Sequence, residues 1–273
     1  MIIDTGSVKI NFEALREDKN INKSLFLLHG FTGSSADWEN VAFLFDSKYN
    51  VYAIDLIGHG KSESPSNVSL YSVESQIEQI KSIIEKLKGE KNILLGYSMG
   101  GRLSLAFALN FPELINGLIL ESSSAGISSE KEREKRKETD LQLADMILNK
   151  PIEDFISSWM DQELFGTLKR FSNSKIEQLK KEKYKNNRTG ISNSLRAFST
   201  GVMPYYGNNL KSLKIPVLLL SGQLDSKYTK INSGLQKQFS KAKHTVIKTS
   251  GHNTHLEEPQ NFIRTVNKFL LNF

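Results

Sequence analysis

A serine flanked by glycines is the residue of this chain whose surroundings point most clearly to chemistry. Ser98 lies in the stretch GYSMGG, after an apolar run and before a helical pattern, LSLAFAL. A Gly-x-Ser-x-Gly stretch between a strand and a helix is typical of a nucleophile held in a sharp turn, because small residues must flank it. Such a turn raises the hydroxyl above the sheet and presents the backbone N–H of Met99 to an oxyanion. We therefore expect Ser98 to be the reacting side chain.

A serine hydroxyl needs a neighbouring base, and the base needs a group that orients it. His252, in TSGHNTHLEEP, follows the last apolar run and is the predicted base, with His255 as the alternative. Asp225, in LLLSGQLDSKY, lies just beyond another apolar run and upstream of His252, which makes it the predicted acid. Glu121, at the end of the preceding apolar run, is the alternative acid. The sequence thus predicts a Ser98–His252–Asp225 triad.

Two further features concern the charge that a reaction at Ser98 creates or binds. In LLHGFTGSS, the backbone N–H of Phe31 can supply a second oxyanion donor; losing one such donor typically costs about 3–4 kcal/mol. Arg102 follows Ser98 by four residues, so both lie on one face of the predicted helix. A guanidinium donates two parallel hydrogen bonds to a carboxylate. Arg102 therefore favours a substrate that carries acidic groups.

The elements that must position these residues alternate between strand and helix patterns. Short runs that are apolar on both faces are typical of buried parallel strands. Such runs lie at residues 24–30, 51–56, 92–98, 117–122, 217–223 and 244–251. Apolar residues also recur at helical spacing over 73–87, and 259–271 reads as a closing helix. Repeated strand–helix units predict an α/β fold with a mostly parallel central sheet flanked by helices.

The alternation stops after residue 122 and resumes near residue 211. Residues 123–210 contain no clear strand but several charged or amphipathic helical patterns. We therefore predict a core of residues 1–122 and 211–273 and a helical insertion of residues 123–210, which we call the cap. Ligands of parallel sheets bind at the carboxyl ends of the strands. An insertion at that edge is expected to act as a lid, with a packing role as the alternative.

Composition narrows the classes of function. The 273 residues include no cysteine, which excludes disulfides, thiolate metal sites and a catalytic thiol. No apolar run approaches the roughly 18 residues of a membrane span, and the N-terminus lacks a signal-peptide pattern, so we expect a cytoplasmic protein without stable membrane insertion. The net charge of +6 is spread along the chain rather than gathered in a basic stripe with aromatic residues, which argues against nucleic acid as a partner.

The motifs of the chain resemble those of the α/β-hydrolase superfamily in order and spacing over essentially its whole length: HGFTGS, DLIGHGKS, GYSMGG, GQLDSKY and GHNTHLEEP. A closer set is similar to the MenH family, the 2-succinyl-6-hydroxy-2,4-cyclohexadiene-1-carboxylate synthases of menaquinone biosynthesis: GYSMGGRL, SSWMDQELF, LRAFSTGVMP, LDSKYTKI and GHNTHLEEP. The resemblance implies an α/β-hydrolase fold with a cap. It also implies a lyase that removes a ring proton from an enolpyruvyl intermediate and expels pyruvate, without a metal or organic cofactor.

The resemblance assigns roles to the predicted site. Ser98, activated by His252, acts in this family as a base rather than as an acyl acceptor. The N–H groups of Phe31 and Met99 hold the developing enolate. Further family positions line the site or meet the acidic groups of the substrate, and here they fall on Tyr97, Arg102, Arg136 and Trp159.

The resemblance does not assign a role to every basic residue of the cap. Arg133 lies on the same charged cap helix as Arg136 and is a further candidate for binding substrate. The family has one more cap arginine, and in KEKYKNNRTG its place could be taken by Lys183, Lys185 or Arg188. Arg188 is the arginine among them and is the candidate that we carry forward, because a lysine supplies charge without a bidentate fork.

Two other classes of function stay open. A serine hydrolase of a small acidic ester, or of a carbon–carbon bond in a small acid, uses the same triad. A non-catalytic ligand receptor on the same fold has no need of all three triad residues, so an intact triad argues against it. The predicted partner of either enzyme is a small polycarboxylate substrate, and the sequence predicts no oligomeric state.

Overall fold

The computed structural model describes residues 1–273, and its centre is a single sheet of eight strands. The strands are β1 (Ile2–Asp4), β2 (Lys9–Arg16), β3 (Lys23–Leu28), β4 (Asn50–Ile54), β5 (Lys91–Tyr97), β6 (Gly117–Glu121), β7 (Val217–Gly222) and β8 (Ala242–Ile247). Their order across the sheet is β1-β2-β4-β3-β5-β6-β7-β8. β3 to β8 run parallel, and β2 is antiparallel to both of its neighbours.

Ten α-helices surround and extend this sheet. They are α1 (Glu39–Ala42), α2 (Val73–Leu87), α3 (Met99–Asn110), α4 (Glu130–Asn149), α5 (Ile152–Met160), α6 (Asn173–Tyr184), α7 (Arg188–Phe198), α8 (Ser226–Gln236), α9 (Thr254–Glu257) and α10 (Pro259–Leu270). Short 3-10 helices cover Ser35–Trp38, Val68–Tyr71, Pro112–Leu114, Glu163–Arg170 and Gly207–Ser212. Serine side chains that accept a backbone N–H three residues later begin α2, α4 and α6.

The central strands are buried on both faces because helices cover both sides of the sheet. Along β3, Phe26 and Leu28 belong to one hydrophobic cluster, which includes α2 and α3. Leu25 and Leu27 point the other way, into a second cluster that includes α1 and α10. This alternation explains why the strands read as continuous apolar runs in the sequence.

The order of the strands creates a crevice where the ligand is expected to bind. From β3 the chain passes to β4 on one side, whereas β5 lies on the other side of β3. The loops that follow β3 and β5 therefore diverge at the carboxyl edge of the sheet, which is where open α/β sheets bind their ligands. Phe31 follows β3 and Ser98 follows β5. The predicted oxyanion donor and the predicted reacting serine therefore both lie at this crevice.

The cap contains α4 to α7 and no strand. Its helices bury a small apolar cluster of their own, which includes Ile147, Phe155, Ile156 and Ile191. Asn193 of α7 ties the cap to the core, since its side-chain amide donates to the carbonyl of Pro65 at 3.2 Å. The insertion is therefore packed internally and is also bonded to a loop of the core.

The predicted α/β fold and its six parallel strands are confirmed, with strand ends that differ by a few residues. The helix predicted over 73–87 matches α2. β1 and β2 were not predicted from the sequence. Ile10, Phe12 and Ala14 of β2 alternate with polar residues, the pattern of a half-buried strand, so the sequence did contain a signal for β2. In the structure the polar Asn11 is buried as well.

Candidate active site

Ser98 occupies the sharp turn between β5 and α3. Its φ of 50° and ψ of −104° lie in a region that non-glycine residues rarely adopt, at a typical cost of about 1–3 kcal/mol. Residues at and just after the end of β6 bond both the backbone N–H and the backbone carbonyl of Ser98. The backbone N–H of Ser98 donates to the carbonyl of Glu121 at 2.8 Å, and the carbonyl of Ser98 accepts from the hydroxyl of Ser123 at 3.0 Å.

The glycines on either side of Ser98 are required by space. A Cβ at Gly100 would lie 2.5 Å from the carbonyl oxygens of Leu28 and His29, which belong to β3 and to the loop after it. A Cβ at Gly96 would collide with the carbonyl of Gly100. The turn therefore brings the first residues of α3 against the end of β3, as the motif predicts.

Ser98, His252 and Asp225 form a continuous chain of hydrogen bonds. His252 Nδ1 lies 2.7 Å from Asp225 Oδ2, and His252 Nε2 lies 3.0 Å from Ser98 Oγ. Because an ionised carboxylate only accepts, Nδ1 carries the proton and Nε2 is left to accept from the serine hydroxyl. The other oxygen of Asp225 accepts from the backbone N–H of Tyr228 at 3.0 Å and so caps α8. The structure thus brings the three predicted residues together in hydrogen-bonding order.

The alternative base and the alternative acid are bonded to each other. His255 Nδ1 lies 2.7 Å from Glu121 Oε2, and both residues are buried. Burial raises the pKa of the Glu121 carboxyl, but His255 and its hydrogen bonds outweigh that effect and hold the pKa below its ordinary value. The His255 ring also stacks on Trp38, with centroids 4.3 Å apart. This second pair leaves Asp225 as the acid that reaches His252.

Two backbone N–H groups beside Ser98 are available to an oxyanion. The N–H groups of Phe31 and Met99 donate to no acceptor within the protein. The loop that carries Phe31 lies against the elbow, since a Cβ at Gly30 would be 3.6 Å from Ser98 Cβ. Thr32 has a positive φ of 64°, which turns the chain back immediately after Phe31. The two N–H groups that the sequence suggests as oxyanion donors thus lie beside Ser98 with no acceptor from the protein.

A cavity of about 880 Å³ opens above Ser98 between the core and the cap. The triad and both oxyanion residues line it from the core side. Tyr97 lines it from the core and Trp159 from the cap, and the Trp159 ring contacts the ring of Phe31 with centroids 5.1 Å apart. The cavity is thus enclosed jointly by the sheet edge and by the inserted helices.

Arg102 brings a positive charge into this cavity without an acidic partner. Its guanidinium lies over the ring of Phe198, 5.2 Å from the centroid, and Nη1 is 3.7 Å from the sulfur of Met203. Burial lowers the pKa of Arg102 to about 10, which still leaves it protonated at neutral pH. Arg102 is therefore a fixed cation that can receive a carboxylate.

Arg136 lines the same cavity from α4 and is held in place by a buried carboxylate. Its Nε donates to Asp140 Oδ2 at 2.7 Å, and the Asp140 side chain is only 3% exposed. The interaction leaves the two terminal nitrogens of the guanidinium free of protein partners. Arg102 and Arg136 together make the cavity suitable for a ligand with more than one acidic group.

Comparison with known proteins places the chain in a family. A family model described as the alpha/beta hydrolase fold matches residues 23–259. A Bacillus subtilis (strain 168) protein, provisionally named as a 2-succinyl-6-hydroxy-2,4-cyclohexadiene-1-carboxylate synthase, is 34% identical over 97% of this chain and 97% of its own. The structure of MenH from S. aureus superposes with a TM-score of 0.91 and 30% identity, covering 96% of this chain and 98% of that chain. The chain belongs to the MenH family of the α/β-hydrolase fold. The 2-succinyl-6-hydroxy-2,4-cyclohexadiene-1-carboxylate synthase of Enterobacter sp. (strain 638) is 30% identical over 86% of each chain.

Two cap arginines expected to bind substrate lie elsewhere in this MenH family member. Arg188 Nε donates to the carbonyl of Ile147 at 2.9 Å, and its Nη2 bonds the carbonyl of Leu148. These carbonyls belong to the last turn of α4, where they lack helical partners, so the guanidinium completes that helix end. Arg133 lies one turn nearer the start of α4 than Arg136, and neither Arg133 nor Arg188 lines the cavity.

Lysines from the end of α6 occupy the place that Arg188 was expected to fill. Lys183 and Lys185 both line the cavity. Lys185 is engaged with Glu182 at 2.6 Å, and both of these side chains are largely exposed. Lys183 forms no ion pair, so it is the cap cation of this segment that is free to meet a ligand.

Tyr228 belongs to the site but was not predicted from the sequence, although its spacing from Asp225 could have identified it. Tyr228 lines the cavity, and its ring centroid lies 4.6 Å from that of His252. It follows Asp225 by three residues in the first turn of α8, a spacing that places it beside the acid of the triad. Burial raises the pKa of the Tyr228 hydroxyl, although Arg102 opposes the shift, so the phenol stays protonated at neutral pH.

Membrane-spanning helices and clusters of metal-binding side chains are both absent from the structure. None of its helices combines the length and the apolar composition that crossing a bilayer requires. The structure also contains no group of three or more His, Cys, Asp or Glu side chains that is arranged to hold a metal ion.

Proposed function

We propose that this chain is a 2-succinyl-6-hydroxy-2,4-cyclohexadiene-1-carboxylate synthase, a lyase of menaquinone biosynthesis. Its substrate would be 2-succinyl-5-enolpyruvyl-6-hydroxy-3-cyclohexene-1-carboxylate. The names carried by the relatives at 28–34% identity support this activity. The observation that carries the proposal is the meeting, in one cavity, of a Ser98–His252 hydrogen bond and the unpaired guanidinium of Arg102.

The proposed reaction balances as an elimination across the ring. A base removes the proton at ring carbon 2, next to the succinyl carbonyl, and a new double bond forms between carbons 2 and 3. The existing double bond shifts to carbons 4 and 5, and the bond from carbon 5 to the enolpyruvyl oxygen breaks. The leaving enolate of pyruvate takes up a proton to give pyruvate. No electrons leave or enter the system, so the step needs no oxidant or reductant.

Different residues of the site would transfer the proton and stabilise the developing charge. His252 accepts the proton of Ser98, Asp225 stabilises the resulting imidazolium, and the alkoxide of Ser98 removes the ring proton. The N–H groups of Phe31 and Met99 bind the oxygen of the succinyl carbonyl as it gains charge. They are fixed by the two loops before substrate arrives, so they need no reorganisation as the charge develops.

The cations of the cavity give the substrate its orientation. The substrate carries a ring carboxylate, a succinyl carboxylate and the carboxylate of the enolpyruvyl group. Arg102 and Arg136 are proposed to bind two of these groups, and Lys183 is proposed to meet another from the cap. Fixing the acidic groups holds carbon 2 near Ser98, and correct placement of reacting atoms can contribute several kcal/mol to lowering a barrier.

The direct test is pyruvate release. Purified protein mixed with the enolpyruvyl substrate, without added metal or cofactor, is expected to release one pyruvate per substrate consumed. Ser98→Ala should slow the release by about a thousandfold, within the range expected when a general base is removed. If saturating enzyme releases no pyruvate above the uncatalysed rate, the lyase proposal is wrong.

A serine hydrolase of a small acidic ester is the second candidate. It is favoured by the same hydrogen bond, since a serine bonded to a histidine is also the usual arrangement of an acylated nucleophile. Rapid hydrolysis of aryl esters with acyl-Ser98 trapped on the protein, together with no pyruvate release, would support this candidate over the lyase.

A further inference from the structure

Glu121 connects the two halves of the proposed reacting pair. Its backbone carbonyl accepts the N–H of Ser98 at 2.8 Å, directly at the elbow. Its carboxylate faces the loop of His252 and accepts three hydrogen bonds there. These come from the Thr254 hydroxyl at 2.6 Å, the His255 N–H at 2.9 Å and His255 Nδ1 at 2.7 Å.

The carboxylate is placed so that these contacts are strong. Glu121 and Thr254 are fully buried, and His255 is nearly so. Hydrogen bonds to a buried carboxylate are stronger than neutral ones. The three donors occupy residues two and three positions after His252, at the start of α9. The position of His252 along the edge of the sheet is therefore tied to β6 through Glu121.

Asp225 does not perform this task. It accepts from His252 Nδ1 and so orients the ring, but it belongs to the loop between β7 and α8. Its main chain forms no hydrogen bond with the elbow. The elbow is strained at Ser98, with a φ of 50°, and the neighbouring turn after β6 is strained at Ser122, with a φ of 46°, so both depend on surrounding contacts to keep their shape.

We propose that Glu121 is a positioning residue, whose main chain holds Ser98 while its carboxylate holds the loop of His252, so that one residue sets the distance between the two reacting side chains. The inference rests on the proposed roles of Ser98 and His252. It applies equally to proton abstraction and to acyl transfer, because both require the 3.0 Å contact between Ser98 Oγ and His252 Nε2.

Paired substitutions at Glu121 separate hydrogen bonding from charge. In Glu121→Gln, the remaining oxygen can still accept from Thr254 and from the His255 N–H. The new amide can donate to His255 Nδ1 once the imidazole shifts its proton to Nε2. This variant is expected to keep kcat within about threefold of wild type, a change smaller than one net hydrogen bond. Glu121→Leu removes all three acceptor contacts and should lower kcat about a hundredfold, the effect of a misplacement of roughly 1 Å, with KM unchanged.

A milder variant covers the case in which Glu121→Leu does not fold. Thr254→Val removes one donor without changing the size of the side chain, and it should lower kcat by about two- to tenfold, the equivalent of one net hydrogen bond. The matched control is Thr265→Val. The Thr265 hydroxyl donates to the carbonyl of Asn261 within α10, away from the site, and its loss should leave kcat and KM unchanged.

Labelling of Ser98 gives a readout that does not depend on the natural substrate. The rate constant for reaction of Ser98 with a fluorophosphonate should follow the same order: wild type and Glu121→Gln fast, Thr254→Val slower, and Glu121→Leu slowest. Absence of pyruvate release by wild type would overturn the proposed function while this order still tested the positioning role. The positioning role is wrong if Thr254→Val and Glu121→Leu label at the wild-type rate. It is also wrong if Glu121→Gln loses as much activity as Glu121→Leu.

Discussion

At the scale of single residues, the informative side chain is a cation that the protein itself leaves unpaired. A charge that is partly withdrawn from water and has no partner in the protein is readily paired by a charged ligand. Arg102 has a ring face and a thioether beside it, and neither carries a negative charge. Arg136, by contrast, is paired with Asp140. A bound carboxylate can therefore neutralise the charge of Arg102, as it can that of Lys183, which also forms no ion pair.

Arg102→Ala should raise KM for the polycarboxylate substrate by about tenfold or more, which corresponds to roughly 1.4 kcal/mol of binding free energy. The same change should leave the stability of the free protein nearly unaltered, because Arg102 is only partly buried and has no ion-pair partner within the protein. Steady-state kinetics and thermal unfolding measure the two effects. Arg264→Ala, which removes an exposed arginine from α10, is the matched control for loss of one positive charge. An unchanged KM in Arg102→Ala contradicts the binding role.

Arg188→Ala and Lys183→Ala should have opposite effects. Arg188 binds the carbonyls at the end of α4, so its loss should lower the melting temperature and leave KM unchanged. Lys183 lines the cavity, so its loss should raise KM and leave the melting temperature unchanged. Thermal unfolding and steady-state kinetics of both variants test this assignment. A raised KM in Arg188→Ala alone would return Arg188 to the site.

Ser98, Asp225, His252 and Arg136 lie where the sequence led us to expect them, but the sequence left open which of Lys183, Lys185 and Arg188 faces the cavity, and the reason is physical. Ser98, Asp225 and His252 each follow a strand whose position is fixed by the sheet, so their spacing in the sequence determines their place in space. Arg188 and Lys183 lie near the ends of cap helices. Which of them points inward depends on the unpaired carbonyls of α4, a neighbour that no local pattern reveals.

At the scale of elements, the approach of α3 to β3 determines where the elbow lies. The backbone N–H of Gly100 donates to the carbonyl of His29 at 3.0 Å, so the first turn of the helix touches the end of the strand. Contact this close is possible only without a side chain. The motif GYSMGG predicted this feature, because glycine is a poor helix former and is placed at the start of a helix when space requires it.

The bounds of β8 were predicted less well, since this edge strand is only partly buried and its pattern is weaker.

Gly100→Ala and Gly234→Ala should shift stability in opposite directions. The added methyl at position 100 would meet the carbonyls of Leu28 and His29, and overpacking of this kind typically costs about 1–3 kcal/mol or more. Gly234 lies in α8 with open space around it, so alanine there should stabilise the protein by about 0.5–1 kcal/mol. Urea unfolding of both variants measures the difference. Equal stability of the two variants contradicts the close approach of α3 to β3.

At the scale of the whole molecule, folding buries histidines that must stay neutral. His29 Nδ1 donates to the carbonyl of Gly30, and its Nε2 accepts from the N–H of Leu56, so both ring nitrogens are used by the neutral form. Burial lowers the pKa of His29, and burial together with the neighbouring His29 lowers the pKa of His59 to about 3. In the unfolded chain both rings titrate near their ordinary pKa of about 6.5. The two states of the protein therefore bind different numbers of protons in acid.

The free energy of unfolding should consequently fall as the pH is lowered from about 6.5 towards 3. The folded pKa of His59 lies below the unfolded value, so stability is complete above pH 6.5 and is lost as the unfolded chain takes up the proton that the folded chain excludes. Each such histidine adds a slope of about 1.4 kcal/mol per pH unit within that window. His59→Gln removes one titrating ring and should reduce the slope by about one proton, which urea unfolding at pH 7, 6 and 5 can measure. Parallel stability curves for His59→Gln and wild type would show that His59 is not held neutral by the fold.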